Sequence, residues 1–314
     1  MQLIGPVVNQ LISMLLIILL GGFLRKKELL NKEITDGLFM LAIKIGLPAA
    51  VITSIQGTMY SADTFKTFLI VFIGSIFCMI LGTILTILCC IPLKVKYPEK
   101  GVWIASSVAP NSGFIGIPLL FSIYGEPTLF LTAASLFAAS AFGFSILMHF
   151  VHKSDGKTGR KRNLSEIIRP FNNSVLLSTL FAFLLYLLSI RLSGPILNTL
   201  RMISVISPPL AMIAIGSTLA MVKIKKSLAD YRIYFVSFLK LIAMPLAGYV
   251  CLSPFIKDKL ILNVIIICAA LPTGNSIPAI ARHANNDETL ASTFVVATTI
   301  FSMITITFIA WIVL

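Results

Sequence analysis

Two short stretches of the sequence place prolines, glycines and an asparagine inside otherwise apolar surroundings. The first is APNSGFIGIP at 109–118, and the second is LPTGNSIP at 271–278. Proline removes a backbone donor and clashes with the preceding helical turn, and glycine tolerates strained dihedral angles, so both stretches should interrupt a helix. Since the amides of Asn111 and Asn275 can donate and accept hydrogen bonds, each interruption offers groups that could bind a carboxylate.

The backbone is expected to unwind over 110–113 and 272–276. A helix that restarts after such a break directs its free N–H groups and its positive dipole end into the break, and this geometry favours an anion. The candidate substrate ligands at the two breaks are Asn111, Ser112, Gly113, Gly274, Asn275 and Ser276. The prolines expected to create the breaks are Pro110, Pro118, Pro272 and Pro278. The alternative is that the breaks only bend two helices for packing and bind nothing.

Two lysines lie inside apolar segments, whereas all 12 Asp and Glu residues lie in polar connections or at segment ends. Lys44 precedes Pro48 by four residues, and Lys240 precedes Pro245 by five. An ionisable side chain inside a membrane segment suggests a functional role, so both lysines are candidate ligands of an anionic substrate. Snorkelling towards the membrane surface, or a hydrogen bond between helices, is the alternative for each.

These residues must be positioned by membrane-spanning helices. The chain is 57% hydrophobic and 12% charged, whereas a soluble domain carries about 25% charged residues. One spanning helix needs about 20 mostly apolar residues. The sequence contains ten such segments, at 3–24, 35–56, 67–93, 101–123, 127–150, 171–190, 195–222, 233–254, 260–281 and 289–313. The predicted fold class is therefore an all-α integral membrane protein with ten transmembrane helices.

The distribution of basic residues predicts the orientation of these helices. With the N-terminus outside, the inner connections hold 18 of the 25 Lys and Arg residues, and the outer side holds five, counting Arg201 near the outer end of its segment. An excess of basic residues is typical of the cytoplasmic side of a membrane. We therefore predict a protein of the cytoplasmic (inner) membrane, with both termini outside and the central loop in the cytoplasm. The net charge of +13 then indicates contact with anionic lipid of the bilayer. No nucleic-acid-binding module accompanies the charge, so that class of function is excluded.

A basic polar segment at 152–170 divides the chain into two halves, 1–151 and 171–314. We expect it to be a cytoplasmic linker between two repeats of five helices. An odd number of spans per half inverts the second half relative to the first, as in many secondary transporters. Both halves carry a proline-broken span at the same place, their fourth helix, which predicts a substrate site between the two breaks.

Several other classes of protein lack support in the sequence. There is no GxxxxGK[ST] loop for ATP, no HExxH motif and no Cys/His spacing for a metal, so we predict neither an enzyme nor a bound cofactor. A coupling ion, either H⁺ or Na⁺, stays open because backbone carbonyls at the breaks could hold one. A membrane sensor that binds an organic anion without transporting it is the alternative function.

The two broken spans, with their flanking residues, also carry a family resemblance. APNSGFIGIPLL followed by YG, and AALP followed by glycine, a second proline and DETLAS, resemble the auxin efflux carrier family. Nearly the whole chain shares the pattern of that family. The central loop is short and the second break carries an asparagine, which resembles the bacterial branch of permeases for malate, malonate and similar acids more than the plant auxin carriers.

The resemblance implies a fold related to the bile-acid sodium symporters and a secondary transporter of small organic anions. Helices 1, 2, 6 and 7 would form a scaffold through which two copies can pair as a homodimer. Helices 3–5 and 8–10 would form a transport domain that moves by an elevator mechanism. Within it, helices 4 and 9 would cross at their breaks, with Pro110, Pro272 and Pro278 at the crossing and Asn111 in contact with the substrate.

Overall fold

The computed structural model describes residues 4–142, 148–153, 174–221 and 230–314, and these residues are almost entirely helical. The helices of the first part are α1 (Ile4–Lys26), α2 (Lys32–Gln56), α3 (Ala62–Cys90), α4 (Glu99–Val108), α5 (Ser112–Tyr124), α6 (Pro127–Phe142) and α7 (Met148–Lys153). Those of the second part are α8 (Ser174–Leu187), α9 (Gly194–Met221), α10 (Tyr231–Leu252), α11 (Lys259–Ala270), α12 (Ile277–His283) and α13 (Glu288–Val313). The predicted linker beyond Lys153 lies outside the described residues.

Six helices of the described chain, α1, α2, α3, α9, α10 and α13, are long and apolar enough to cross a membrane. Four others, α5, α6, α8 and α11, are apolar but shorter. Two of the ten segments predicted from the sequence are each divided in two at their breaks, into α4 with α5 and α11 with α12. The all-helical membrane class is confirmed, while the ten crossings and the inverted repeat stay predictions.

Three prolines inside predicted spans are accommodated by wider helical turns. The described chain has three five-residue π-helical segments, Ala42–Gly46, Ser112–Gly116 and Leu239–Ala243. Each ends two residues before a proline, namely Pro48, Pro118 or Pro245. Proline lacks an N–H and its ring presses on the carbonyl four residues earlier, and a π turn relieves that clash without ending the helix. Lys44 and Lys240 each lie within one of these wider turns.

The helices sort by contact into two groups. Helices α1, α2, α8 and α9 pack on one another, and α3–α6 with α10–α13 pack around the two broken spans. The largest contacts between the groups are those of α1 with α5 and α13, of α9 with α5, and of α6 with α2 and α8. Both broken spans therefore belong to the same group of helices.

Glycines allow α1 and α9 to approach closely. A Cβ added at Gly21 would lie 2.1 Å from the carbonyl oxygen of Ile213, and one added at Gly216 would lie 1.8 Å from that of Ile18. Small residues are common at helix contacts in membranes, where packing and hydrogen bonds drive the association of helices. The hydroxyls of Thr35 and Ser217, 2.7 Å apart, join α2 to the same contact.

We expect Gly21→Ala to destabilise this helix pair by about 1–3 kcal/mol, the usual cost of overpacking a tight contact. The added methyl meets backbone, which cannot rotate away, so the two helices must separate. Thermal unfolding of the purified protein measures the effect. Gly5→Ala in the same helix is the control, because a Cβ at Gly5 meets nothing within 4 Å. Equal unfolding temperatures for the two variants would show that the close contact contributes nothing.

An ionic network joins α4 to α10 at one end. The guanidinium of Arg232 donates to Glu99 at 3.0 Å and to Asp230 at 2.7 Å, and the indole of Trp103 donates to Glu99 at 2.8 Å. The hydrogen bond from Arg232 holds the pKa of Asp230 below its usual range. These groups are partly exposed, so the network mainly sets the register of the two helices. That register matters because both helices carry residues of the site.

Candidate substrate site at the crossing of two broken helices

The two predicted spans are interrupted at 109–111, between α4 and α5, and at 271–276, between α11 and α12. Ser112 and Gly113 were expected in the first break, but they begin the π-helical turn of α5. The wider turn that accommodates Pro118 extends the helix back to Ser112, which explains the shorter break. Gly274, Asn275 and Ser276 lie in the second break, as the sequence predicted.

The two breaks lie side by side and pair their backbones. The N–H of Asn111 donates to the carbonyl of Pro272 at 2.9 Å, and the N–H of Gly274 donates to the carbonyl of Ala109 at 3.0 Å. Pro110 and Thr273 form the antiparallel bridge between them. Backbone groups released from a helix inside a membrane must be satisfied within the protein. Each break supplies hydrogen-bond partners for the backbone of the other, so the two breaks form one structural unit.

Thr273 anchors the crossing to two further helices. Its hydroxyl donates to the carbonyl of Ser106 in α4 at 2.6 Å, and its N–H donates to the hydroxyl of Thr298 in α13 at 3.1 Å. Sequence reasoning missed these three residues. Thr298 stands in an apolar span among other threonines, so no local signal distinguishes it.

Lys240 is completely buried at the same crossing. Its ammonium donates to the carbonyls of Val108 at 3.1 Å and Ala269 at 3.2 Å. Both carbonyls belong to the last turn of a helix, α4 or α11, where no following turn supplies a donor and the helix dipole is negative. This arrangement matches the hydrogen bond between helices that the sequence left open as the alternative. Lys240 holds the crossing together.

Lys44 has a different environment. It is exposed on the π-helical turn of α2, and outside α2 this turn packs mainly on α8 and α9. Leu47, one turn later, packs against the first turn of α5, since a Cβ added at Gly113 would lie 2.6 Å from its Cδ1 atom. The two lysines that precede prolines in the sequence therefore occupy unlike positions.

The amide of Asn111 is the most informative polar group of the site. Asn111 is only 4% exposed, and its Nδ2 has no hydrogen-bond partner in the described part of the chain. Asn275 is half-buried, and neither atom of its amide has a described partner. Buried amides are nearly always hydrogen-bonded, so an unpaired one calls for an explanation. The ligand predicted from the sequence is one explanation, and Ser276, the residue after Asn275, is exposed.

A small cavity lies behind the crossing. It measures about 10 Å³ and is lined by Ser75, Cys78, Pro110, Ser135 and Cys268, among others. This volume is enough for about one water molecule and too small for an organic acid. The hydroxyl of Ser75 donates to that of Ser135 at 3.0 Å. The cavity is therefore not the site of an organic acid, and the candidate groups for a substrate are those at the two asparagines.

Within the described chain, no group of three or more His, Cys, Asp or Glu side chains could hold a metal ion. The prediction that the protein uses no cofactor, and the open choice between H⁺ and Na⁺ as coupling ion, are not tested by this observation. A single alkali ion bound by carbonyls needs no such group.

Helices of membrane-spanning length packed around two paired breaks form the architecture of a membrane transporter. The chain belongs to the membrane transport protein family, whose family model matches residues 6–310. This finding confirms the resemblance to the auxin efflux carriers that the broken spans carry in the sequence.

The relatives of the chain are also transporters by name. It is 28% identical over 286 residues to the uncharacterized transporter YfdV of Escherichia coli (strain K12), covering 88% of each chain. It is 27% identical over 300 residues, 94% of each chain, to an uncharacterized transporter of Methanothermobacter thermautotrophicus. A transporter of Methanocaldococcus jannaschii, MJ1031, is 24% identical over 307 residues, 96% of each chain. The family and these relatives support a transporter, not an enzyme.

Proposed function

We propose that this protein is a secondary transporter of a small organic anion across the cytoplasmic membrane. The unpartnered, buried amide of Asn111 at the start of α5 is the observation that supports it most directly. The N–H groups in the first turn of α5 point out of the start of the helix, as in any α-helix. They add donors and positive potential for a carboxylate. The family resemblance suggests malate, malonate, similar carboxylates and auxin-like acids as substrates.

The proposed mechanism is alternating access of the elevator type. Helices α1, α2, α8 and α9 would be the scaffold, and the group that contains both broken spans would be the transport domain. The packing of the helices into these two groups supports the division. The close contact of α1 with α9 supports a rigid scaffold, against which the crossing could move without being taken apart.

Flux into liposomes tests the proposal. Purified protein should take up labelled malate, malonate or indole acetate with saturable kinetics, and an imposed pH or sodium gradient would reveal the coupling ion. Saturable binding of the same acids without any flux would instead support the alternative, a membrane sensor with a carrier fold. The absence of both binding and flux for all small acids would contradict both functions.

The orientation of the chain gives a separate prediction. In a variant without native cysteines, Asp63→Cys should react in intact cells with a thiol reagent that does not cross membranes, because the excess of basic residues places 63 outside. Thr158→Cys should react only after the cells are permeabilised. The reverse pattern would invert the proposed topology, and reaction of both positions in intact cells would contradict an odd number of spans between them.

A further inference from the structure

We infer that the site binds an organic monoanion, with one carboxylate on a short and largely apolar body, in preference to a dicarboxylate. This inference rests on the proposed transport function and narrows its substrate class. It follows from the interactions that already offset the positive charge around the crossing, and from the apolar side chains that pack against α5.

The charge of Lys240 is offset within the protein. Its ammonium donates to carbonyls in the last turns of α4 and α11. Each helix C-terminus carries the equivalent of about half a negative charge. Two such ends together match one ammonium, so Lys240 leaves no net positive charge for a substrate.

The positive potential that remains comes from the start of α5, about half a positive charge. The Nδ2 group of Asn111, nine-tenths buried and unpartnered, independently marks this helix start as a place for an acceptor. Helix α12 has only seven residues, so we assign its start no role in binding the anion. Asn275 contributes neutral amide donors. These groups suit one carboxylate.

A second carboxylate would need a second cation in the site. Lys240 is the only charged side chain that is buried in the described chain. Lys44 is exposed, and Arg282 of α12 donates to Glu288 at 2.7 Å. A second negative charge would therefore enter a buried site without compensation, which is strongly unfavourable.

Two apolar side chains pack against the first turns of α5. Leu47 of α2 lies against Gly113, and Leu271 lies against Gly116, where an added Cβ would come within 2.8 Å of its Cδ1 atom. Both leucines are buried. These side chains favour a hydrocarbon body beside the carboxylate and carry no charge that could compensate a second anionic group.

A series of three ligands with one carbon skeleton tests the inference on the purified full-length protein. Dimethyl malonate, monomethyl malonate and malonate carry zero, one and two negative charges at neutral pH. Calorimetry should show the tightest binding for the monoester, by about tenfold or more over either neighbour, which is 1.4 kcal/mol. Lowering the pH should tighten malonate binding, because protonation makes it a monoanion, while the monoester serves as the control for titration of the protein.

Binding of malonate as tight as that of the monoester would overturn the inference. Loss of malonate binding in Lys44→Met would then show that Lys44 compensates the second negative charge. In either case the transport function would stand as long as binding weakens in Asn111→Ala. Equal affinity for dimethyl malonate would show that charge is not recognised. If no acid binds, or if Asn111→Ala leaves all affinities unchanged, the proposed function itself fails.

Discussion

Asn111→Ala is expected to lower the affinity for the transported anion by about 10- to 150-fold, because a hydrogen bond to a charged group contributes about 1.5–3 kcal/mol. The unfolding temperature should stay close to that of the native protein, since the Nδ2 group has no protein partner to lose. The backbone bonds of Asn111 with Pro272, Ile115 and Gly116 are kept by alanine. Calorimetry and thermal unfolding on the same preparation measure both quantities.

Asn111→Asp gives a matched comparison of nearly identical shape. It replaces the donor by a carboxylate, so the helix start would already hold a negative charge and repel the substrate. We expect this variant to lose anion binding completely while Asn111→Ala only weakens it. A large fall in unfolding temperature for Asn111→Ala would instead show that the amide is structural, and undiminished anion affinity in Asn111→Asp would exclude it from the site.

Lys240→Met is expected to lower the free energy of unfolding by about 2 kcal/mol and to abolish transport. Two buried carbonyls lose their donor, at about 1–3 kcal/mol each, and the removal of a buried charge offsets part of this cost. Because the ammonium holds α4 against α11, the loss should affect anionic and neutral ligands equally. Thermal unfolding, together with binding of monomethyl and dimethyl malonate, measures the effect.

Lys44→Met is the matched control, since it removes the other lysine that precedes a proline inside a span. Lys44 is exposed, so its replacement should leave the unfolding temperature unchanged. If Lys240→Met weakened only the anionic ligands and kept the native stability, the ammonium would be a substrate ligand after all, and the inference of a monoanion site would lose its main support.

Much of this site can be predicted from the sequence. The prolines at 110 and 272 lie where helices end, because a proline without a preceding wide turn removes a donor and blocks the helix. The neighbouring asparagines follow directly as candidate ligands. The antiparallel pairing of the two breaks could be expected only through the family resemblance, since their backbones come from segments about 160 residues apart.

The prolines also show where local reasoning ends. Pro48 and Pro245 lie mid-span like Pro110, yet their helices continue through π-helical turns. Whether a proline breaks or only widens a helix depends on what can satisfy the released carbonyls. Around Pro110 a second break supplies the partners, and this is a property of the assembled fold.

The sequence by itself determined the membrane environment, the family, the two broken spans and the identity of the asparagines, because hydropathy, proline and glycine act over a few neighbouring residues. Only the tertiary structure decided the surroundings of the two lysines. Lys240 is buried against two helix ends and Lys44 is exposed, although both precede a proline by one turn of helix. The partner of a buried charge is chosen by contacts between distant segments, and such contacts leave no local pattern in the chain.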